Sequence, residues 1–242
     1  MRSSALRVIG PGRAGLSLSR ALAAAGWRVE DPLGKGDDLA GAADGVDLLV
    51  IATPDAAVAG VAAGVEPAAA TVVAHLAGSL RLDVLGGHPR RASVHPLVAL
   101  PNPDVGAERL RGAWFALAGD SFVRTVVGDL GGRWFSVADE DRAAYHAAAC
   151  IASNHLVALL GQAERVGSAA GVPREALLDL VRATVENVAA LGPARALTGP
   201  AARGDRGTIE LHRGALDASE LPAYDAMVDL ARRLLLEPAE AR

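Results

Sequence analysis

Lysine is all but missing from this sequence. Lys35 is the only one in 242 residues, and the other basic side chains are arginine. Schiff-base chemistry, or a lysine acting as general acid, is therefore excluded from everything beyond residue 35. Cysteine is equally scarce. Cys150 stands alone, so there is no internal disulfide and no multi-thiolate metal site. Aromatic residues make up 3% of the chain against 51% for all hydrophobic residues, so a core has to be built from alanine, valine and leucine. A net charge of −4 gives no broad basic field for nucleic acid or an anionic membrane. No apolar run free of charge and proline is expected to reach the ~18 residues of a membrane helix. The chain starts directly on a strand-like segment with no signal-peptide pattern. The default expectation is a cytoplasmic protein with neither membrane nor nucleic acid as partner.

What is present is organised around Leu6 to Gly15, LRVIGPGRAG. A short β-like run, Leu6 to Ile9, flows into Gly10, Pro11, Gly12, Arg13, Ala14 and Gly15, and Leu16 to Ala25 continues as a helix. Gly10 permits a sharp turn. Gly12 lets the backbone approach a pyrophosphate, and Gly15 lets helix and strand pack closely. The unpaired N–H groups of the helix's first turn then face the phosphates, with the helix dipole behind them. Glycine is common here, at 27 residues, but this GxGxxG has its required context of strand before and helix after. It points to dinucleotide binding.

Further strands are expected at Trp27–Asp31, Asp47–Ala52, Thr71–His75, Ala92–Val94, Ala113–Leu117 and Arg133–Ser136. Helices are expected at Ala56–Ala63 and Ser121–Leu130, and a poor helix or loop at Asp37–Asp44. Strands alternating with short helices imply a parallel sheet, with the direction of the last strands left open. The pattern changes at Asp139, which can cap a helix running to about Ala170. Gly171-Val-Pro173 starts another helix, to about Leu191. Asp205 can cap a third, through about Leu216, and Pro222 opens a fourth. The expected architecture is a Rossmann-type α/β domain with a parallel sheet, residues 1–138, followed by an all-helical substrate and dimerisation domain, residues 139–242.

Ligands of open α/β sheets lie beyond the carboxyl ends of the strands. There the sequence places Asp31, Thr53-Pro54, His75 to Ser79 (with Ala77 and Gly78) and His95-Pro96. Thr53, Pro54, Ala77 and Gly78 are candidates for cofactor contact. Asp31 lies where an acidic side chain accepts from the 2′-hydroxyl of NAD. Lys35 and Arg13 would instead meet the 2′-phosphate of NADP, and Pro32 can turn the aspartate away, so the reading leans to NADP with NAD possible. In the long helix, His146, Cys150, Ser153 and Asn154 fall in one sector at about 100° per residue, with His155 opposite. The apolar surroundings on every face predict a buried helix, whose polar stripe must then find partners or a ligand. Cys150 reads as a packing residue. A third cluster holds Arg203, suited to a substrate carboxylate, and Asp205, Thr208 and His212 on one helix face. No HxxxH or HExxH spacing occurs, so no metal is expected.

The glycine loop, Thr53-Pro54, His75-x-x-Gly78-Ser79, His95-Pro96-Leu97, Ala152-Ser153-Asn154 and Leu197-Thr-Gly-Pro200 through Arg203-Gly-Asp205 together resemble a bacterial family. Its members pair a Rossmann-like NADP-binding domain with a C-terminal helical domain of unknown function. That family is similar in layout to pyrroline-5-carboxylate reductases, ketopantoate reductases, prephenate dehydrogenases and 6-phosphogluconate dehydrogenases. The resemblance implies an NAD(P)-dependent oxidoreductase, dimeric through the helical domain. It departs from ketopantoate reductases in having no lysine in the helical half, so a histidine acid has to serve. The reading is a reductase of a small, carboxylate-bearing carbonyl or imine. His146 donates the proton, Ser153 and Asn154 orient the reacting oxygen or nitrogen, and His95 or Arg203 holds the carboxylate. The alternative is a non-catalytic NADP(H)-binding sensor or interaction protein.

Overall fold

In a computed structural model that describes residues 3–236, the seven expected strand segments are β1 (Ala5–Ile9), β2 (Arg28–Val29), β3 (Leu48–Ile51), β4 (Val72–His75), β5 (Arg91–Pro96), β6 (Trp114–Gly119) and β7 (Arg133–Ser136). They form one sheet in the order β2-β1-β3-β4-β5-β6-β7. The first five strands run parallel. β6 pairs antiparallel with β5, through Ser93 opposite Ala118 and His95 opposite Ala116, and β7 pairs parallel with β6. β2 is shorter than expected. Pro32 cannot donate to a ladder, and pairing resumes only at Leu33, which bridges Ile9.

The central strands are buried on both faces, and successive side chains divide between two cores. Leu6, Val8, Leu48, Val50, Val72 and Ala74 pack on one side, with helices α1 (Arg13–Ala24) and α3 (Pro103–Leu110) among the elements that cover it. Leu49, Ile51 and Val73 pack on the other, beneath α2 (Asp55–Ala63) and the single turns Ala40–Ala43 and Leu82–Leu85. α4 (Val123–Asp129) joins β6 to β7. The sequence reading assigns no element to 103–110. Its signal is Asn102-Pro103, since the Asn102 side chain accepts from Val105 N at 2.9 Å and proline occupies the first turn.

After β7 the chain turns helical, as the pattern at Asp139 suggests, but Asp139 does not cap the helix. A single turn, Asp139–Asp141, comes first, and the Asp139 carboxylate accepts instead from Leu82 N. α5 (Arg142–Cys150) follows, then a wide π-type turn, Ile151–His155. The chain divides into two compact units between Asn154 and His155.

The second unit consists of α6 (Leu156–Ala169), α7 (Arg174–Leu191), α8 (Pro193–Ala196), α9 (Pro200–Arg203), α10 (Arg206–Ala215) and α11 (Leu221–Leu234). Asp205 caps α10 as expected, accepting from Thr208 N at 3.0 Å. Two expectations for the long helix need correction. It is not buried within this chain, with Ile151 58% and Val157 67% exposed, because its apolar faces outnumber the partners one chain supplies. The segment Asp139–Ala169 is also long and apolar enough, by length and composition, to cross a bilayer. Mean hydropathy passes over His146, Ser153, Asn154 and His155 in its middle, and polar side chains there are costly against lipid.

Gly15 sets the distance between α1 and β1. A Cβ there would run into Gly10 O and come within 2.9 Å of Val8 Cγ1. Gly15→Ala should cost about 1–3 kcal/mol, read as a lower urea midpoint at unchanged slope. A wild-type midpoint would contradict this close approach.

Candidate active site

Two constructions lie at the carboxyl edge of the parallel strands. The first is the glycine loop. Gly10 has φ +99°, a region that favours glycine, and a Cβ on it would lie 2.9 Å from the Ala52 carbonyl. Gly10 N donates to Leu33 O at 2.8 Å, so the segment carrying Asp31 and Lys35 runs beside the loop. Both of those side chains are exposed, as are Pro11, Gly12 and Arg13. Gly12 is the N-cap of α1. It offers no side-chain cap, no acid stands in the first turn, and a Cβ on Gly12 would meet nothing within 4 Å. Gly10 and Gly15 are thus glycines for reasons internal to the protein, and Gly12 is not. Ala14 follows in the same first turn. At the end of β3, the Thr53 hydroxyl oxygen is buried without a partner among the described residues, and Pro54 precedes α2. A cradle of free N–H groups at a helix N-terminus, with a spare hydroxyl beside it, fits a dinucleotide diphosphate.

The second construction lies between the sheet and α5. His75 and Ser93 are register partners on β4 and β5, and His95 is two residues further along the same face. One helical turn matches that spacing. Arg142, at the start of α5, donates to Ser93 Oγ at 2.6 Å and to Ala77 O at 2.8 Å, while Tyr145 and His146, one turn later, reach His95. The Tyr145 hydroxyl and His95 Nδ1 are 2.5 Å apart. The His146 ring meets His95 edge-on, with centroids 5.7 Å apart. Gly78 leaves room for both rings, since a Cβ there would overlap His146 Cδ2 and lie 3.0 Å from His95 Nε2. The Gly78 requirement is therefore met by the two imidazoles. Ser79 Oγ donates to Asp55 at 3.3 Å.

This packing sets the charge states. His75 has no solvent exposure and neither ring nitrogen has a partner among the described residues. Burial, then the Arg142 charge, lower its pKa to about 4. Burial also lowers His95 to about 4, with His146, Arg142 and His75 adding to the effect. Burial lifts the Tyr145 phenol to about 12 and pulls the Arg142 guanidinium down. At neutral pH, His75, His95 and Tyr145 are all uncharged.

His95, Tyr145, His146, Cys150, Ser153 and Asn154 line one cleft of about 690 Å³, with Pro96 to Ala99 and Phe135. The stripe read from helical spacing is thus brought together on one side, with Ser153 and Asn154 exposed at its rim. Cys150 faces the cleft, its sulfur 3.8 Å from His146 Nε2, where the sequence suggested a packing role. Arg203 ends α9 in the second unit and is exposed. Of the third cluster, Asp205 and Thr208 bond each other, while His212 bonds the Tyr224 hydroxyl at 2.7 Å. The sequence reading gave no role to Arg142 or Tyr145. Their i, i+3 spacing ahead of His146 was the available signal. No cluster that could hold a metal occurs among the described residues.

The family described as domain of unknown function (DUF2520) matches residues 117–231. No curated protein sequence matches the chain. Among solved structures, a candidate NADP oxidoreductase from Bacteroides fragilis is 20% identical, with 96% of this chain and 98% of that one covered and a TM-score of 0.77. A reductive aminase from Aspergillus terreus, in complex with NADPH4, cyclohexanone and allyl amine, is 18% identical over 96% and 94%, with a TM-score of 0.70. The pyrroline carboxylate reductase of Plasmodium falciparum with NADP bound is 14% identical over 97% and 99%, with a TM-score of 0.63. Each match spans both units, so the chain shares the fold of these proteins, here a Rossmann-type sheet followed by helices.

An imidazole held near 4 in the folded protein, against about 6.5 unfolded, binds fewer protons folded than unfolded between those values. Stability should therefore fall as pH drops from about 6.5 to 4, by on the order of 3 kcal/mol for each of His75 and His95. Urea midpoints at pH 7 and pH 4.5 measure this. His75→Gln should remove part of the fall, and a flat profile in the wild type would mean the rings are not held neutral.

Proposed function

We propose that this protein is an NADP-dependent reductase of a small carbonyl or imine compound, with a carboxylate on the substrate. The observation that carries the reading is Gly12. Nothing in the protein demands a glycine there, and its open face stands at the bare N-terminus of α1. A diphosphate approaching that backbone explains it. The solved structures of like fold support the reading, since those named above are a candidate NADP oxidoreductase, a pyrroline carboxylate reductase with NADP bound and a reductive aminase. Arg13 and Lys35, both exposed beside the loop, suit the 2′-phosphate that distinguishes NADP.

When bound, NADPH supplies a hydride to the carbonyl or imine carbon. The chain's own residues do the rest. His146 lines the cleft and gives a proton to the oxygen or nitrogen of the substrate. Ser153 and Asn154 at the rim orient that atom by hydrogen bonds, and His95 holds a substrate oxygen. A cleft of about 690 Å³ suits a small molecule.

A second copy of the chain belongs to this reading. Ile209 is the only buried hydrophobic residue among those described in the second unit, while Val157, Leu180, Val185 and Leu211 are each more than half exposed. A unit of this kind needs apolar cover, and a homodimer supplies it with identical surfaces. Sedimentation should give twice the chain mass, and a monomer at micromolar concentration would remove this part.

Gly12→Ala separates binding from folding. Its stability should stay within about 0.5 kcal/mol of wild type, while its affinity for NADPH drops more than tenfold, measured by calorimetric titration. If the wild type binds neither NADPH nor NADH, the function is wrong. With 2-oxo acids and cyclic imines as substrates, His146→Ala should lower kcat by about 10²–10⁴-fold. Unchanged turnover would remove His146 as the proton donor.

A further inference from the structure

We infer that Tyr145 is a positioning residue that locks His95 in a single neutral tautomer, with the proton on Nε2. His95 then meets a substrate oxygen as an uncharged hydrogen-bond donor. The part that concerns substrate rests on the reductase reading above, whereas the tautomer does not.

The geometry begins with the contact itself. The Tyr145 hydroxyl is 2.5 Å from His95 Nδ1, and the two rings meet nearly perpendicular, at 83° with centroids 5.5 Å apart. Phe135 also packs edge-on against Tyr145, at 5.7 Å and 71°, so the phenol ring contacts two rings. A neutral imidazole has one N–H and one lone pair. If Nδ1 carried the proton, it would donate to the phenol oxygen, and the phenol's own proton would lack an acceptor, since the hydroxyl has no other hydrogen-bond partner among the described residues. If Nδ1 carries the lone pair, the phenol donates to it, and both the phenol's proton and Nδ1 are satisfied. The second arrangement leaves the ring proton on Nε2.

The surroundings oppose a second proton. The charged or titratable groups around His95 are Tyr145, His146 and Arg142 on α5 and His75 on β4, none of them a carboxylate. Burial and these basic neighbours hold His95 near 4, and the phenol near 12 keeps its own proton. His95 Nε2 has no protein hydrogen-bond partner among the described residues, and the ring is part of the cleft wall. Gly78, where a side chain would crowd Nε2, keeps that nitrogen uncovered.

The consequence differs from an ion pair. A cationic histidine would lose its hold on a carboxylate as pH rose through the ordinary histidine range. A neutral Nε2–H donor keeps the same strength from pH 5.5 to 8, and it donates to a carbonyl oxygen as readily as to a carboxylate.

Two-bond ¹H–¹⁵N spectra of the full, uniformly labelled chain test the tautomer without cofactor or substrate, with His95 assigned through a His95→Gln variant. The expected wild-type result is an unprotonated Nδ1 and a protonated Nε2, unchanged from pH 8 to pH 5. In Tyr145→Phe the His95 nitrogens should move towards a mixture of tautomers, with the His146 signals in place. A proton on Nδ1, a His95 titration above pH 6, or unmoved His95 signals in Tyr145→Phe would overturn the inference. If Tyr145→Phe fails to fold, the wild-type spectrum alone decides the tautomer. Loss of the lock should raise KM more than it lowers kcat, and an inactive protein with the expected spectrum would refute the reductase reading alone.

Discussion

A guanidinium with no solvent exposure holds α5 to the sheet. Arg142 reaches the Ser93 hydroxyl and the Ala77 carbonyl, and so joins the first turn of the helix to the ends of β4 and β5. Burying a charge in this way is costly unless it is paired and hydrogen-bonded. Here the nearby Asp139 carboxylate offsets part of the cost, although it spends its hydrogen bonds on Leu82 N. What the contact secures is register. With Arg142 over Ser93, the next turn of α5 sets Tyr145 and His146 against His95, and the stripe that follows faces the same cleft. The same charge opposes protonation of His75 and His95. One side chain thereby fixes both where the imidazoles sit and which form they take.

Much of this was legible in the sequence, and the parts that were share a cause. The strands were read from apolar runs at β1, β3 and β4, which are buried on both faces and need no partner to be recognised. The glycine loop was read from spacing, because Gly10 and Gly15 answer to contacts with residues near in sequence or in the adjacent strand. The His146–Asn154 stripe was read from helical periodicity. What escaped depended on long-range pairing. The direction of β6 is set by its partner, β5. Arg142 looks like any exposed helix arginine until Ser93 and Ala77 are brought beneath it. Asp139 looks like a cap and instead ties down Leu82, 57 residues earlier in the chain. The solvent exposure of the long helix escaped for the opposite reason, since an apolar sequence reports a need for cover and not what provides it.

The glycines separate structure from function more sharply than the charged residues do. At Gly10, Gly15 and Gly78 an added methyl group meets backbone or ring atoms of the protein itself. Their identity is explained by packing, and each would be glycine in a protein that bound nothing. Gly12 and its neighbours carry a different message. The loop is bent by Gly10 and anchored to Leu33, the helix behind it is pressed against β1 through Gly15, and the residue left between them has open space where a side chain would be. A helix N-terminus ordinarily recruits a serine, threonine or aspartate to satisfy its first N–H groups. This one has a glycine cap, which forgoes only about a few tenths of a kcal/mol against serine or aspartate, and a ligand with its own acceptor oxygens would satisfy the N–H groups left open. The cleft lined by α5 gains its meaning from that choice. A wall holding the neutral His95 imidazole and a phenol, with hydroxyl and amide groups at the rim, offers hydrogen bonds that, for the proposed reductase, suit a carbonyl or imine uncharged before hydride and proton arrive and uncharged again once both have.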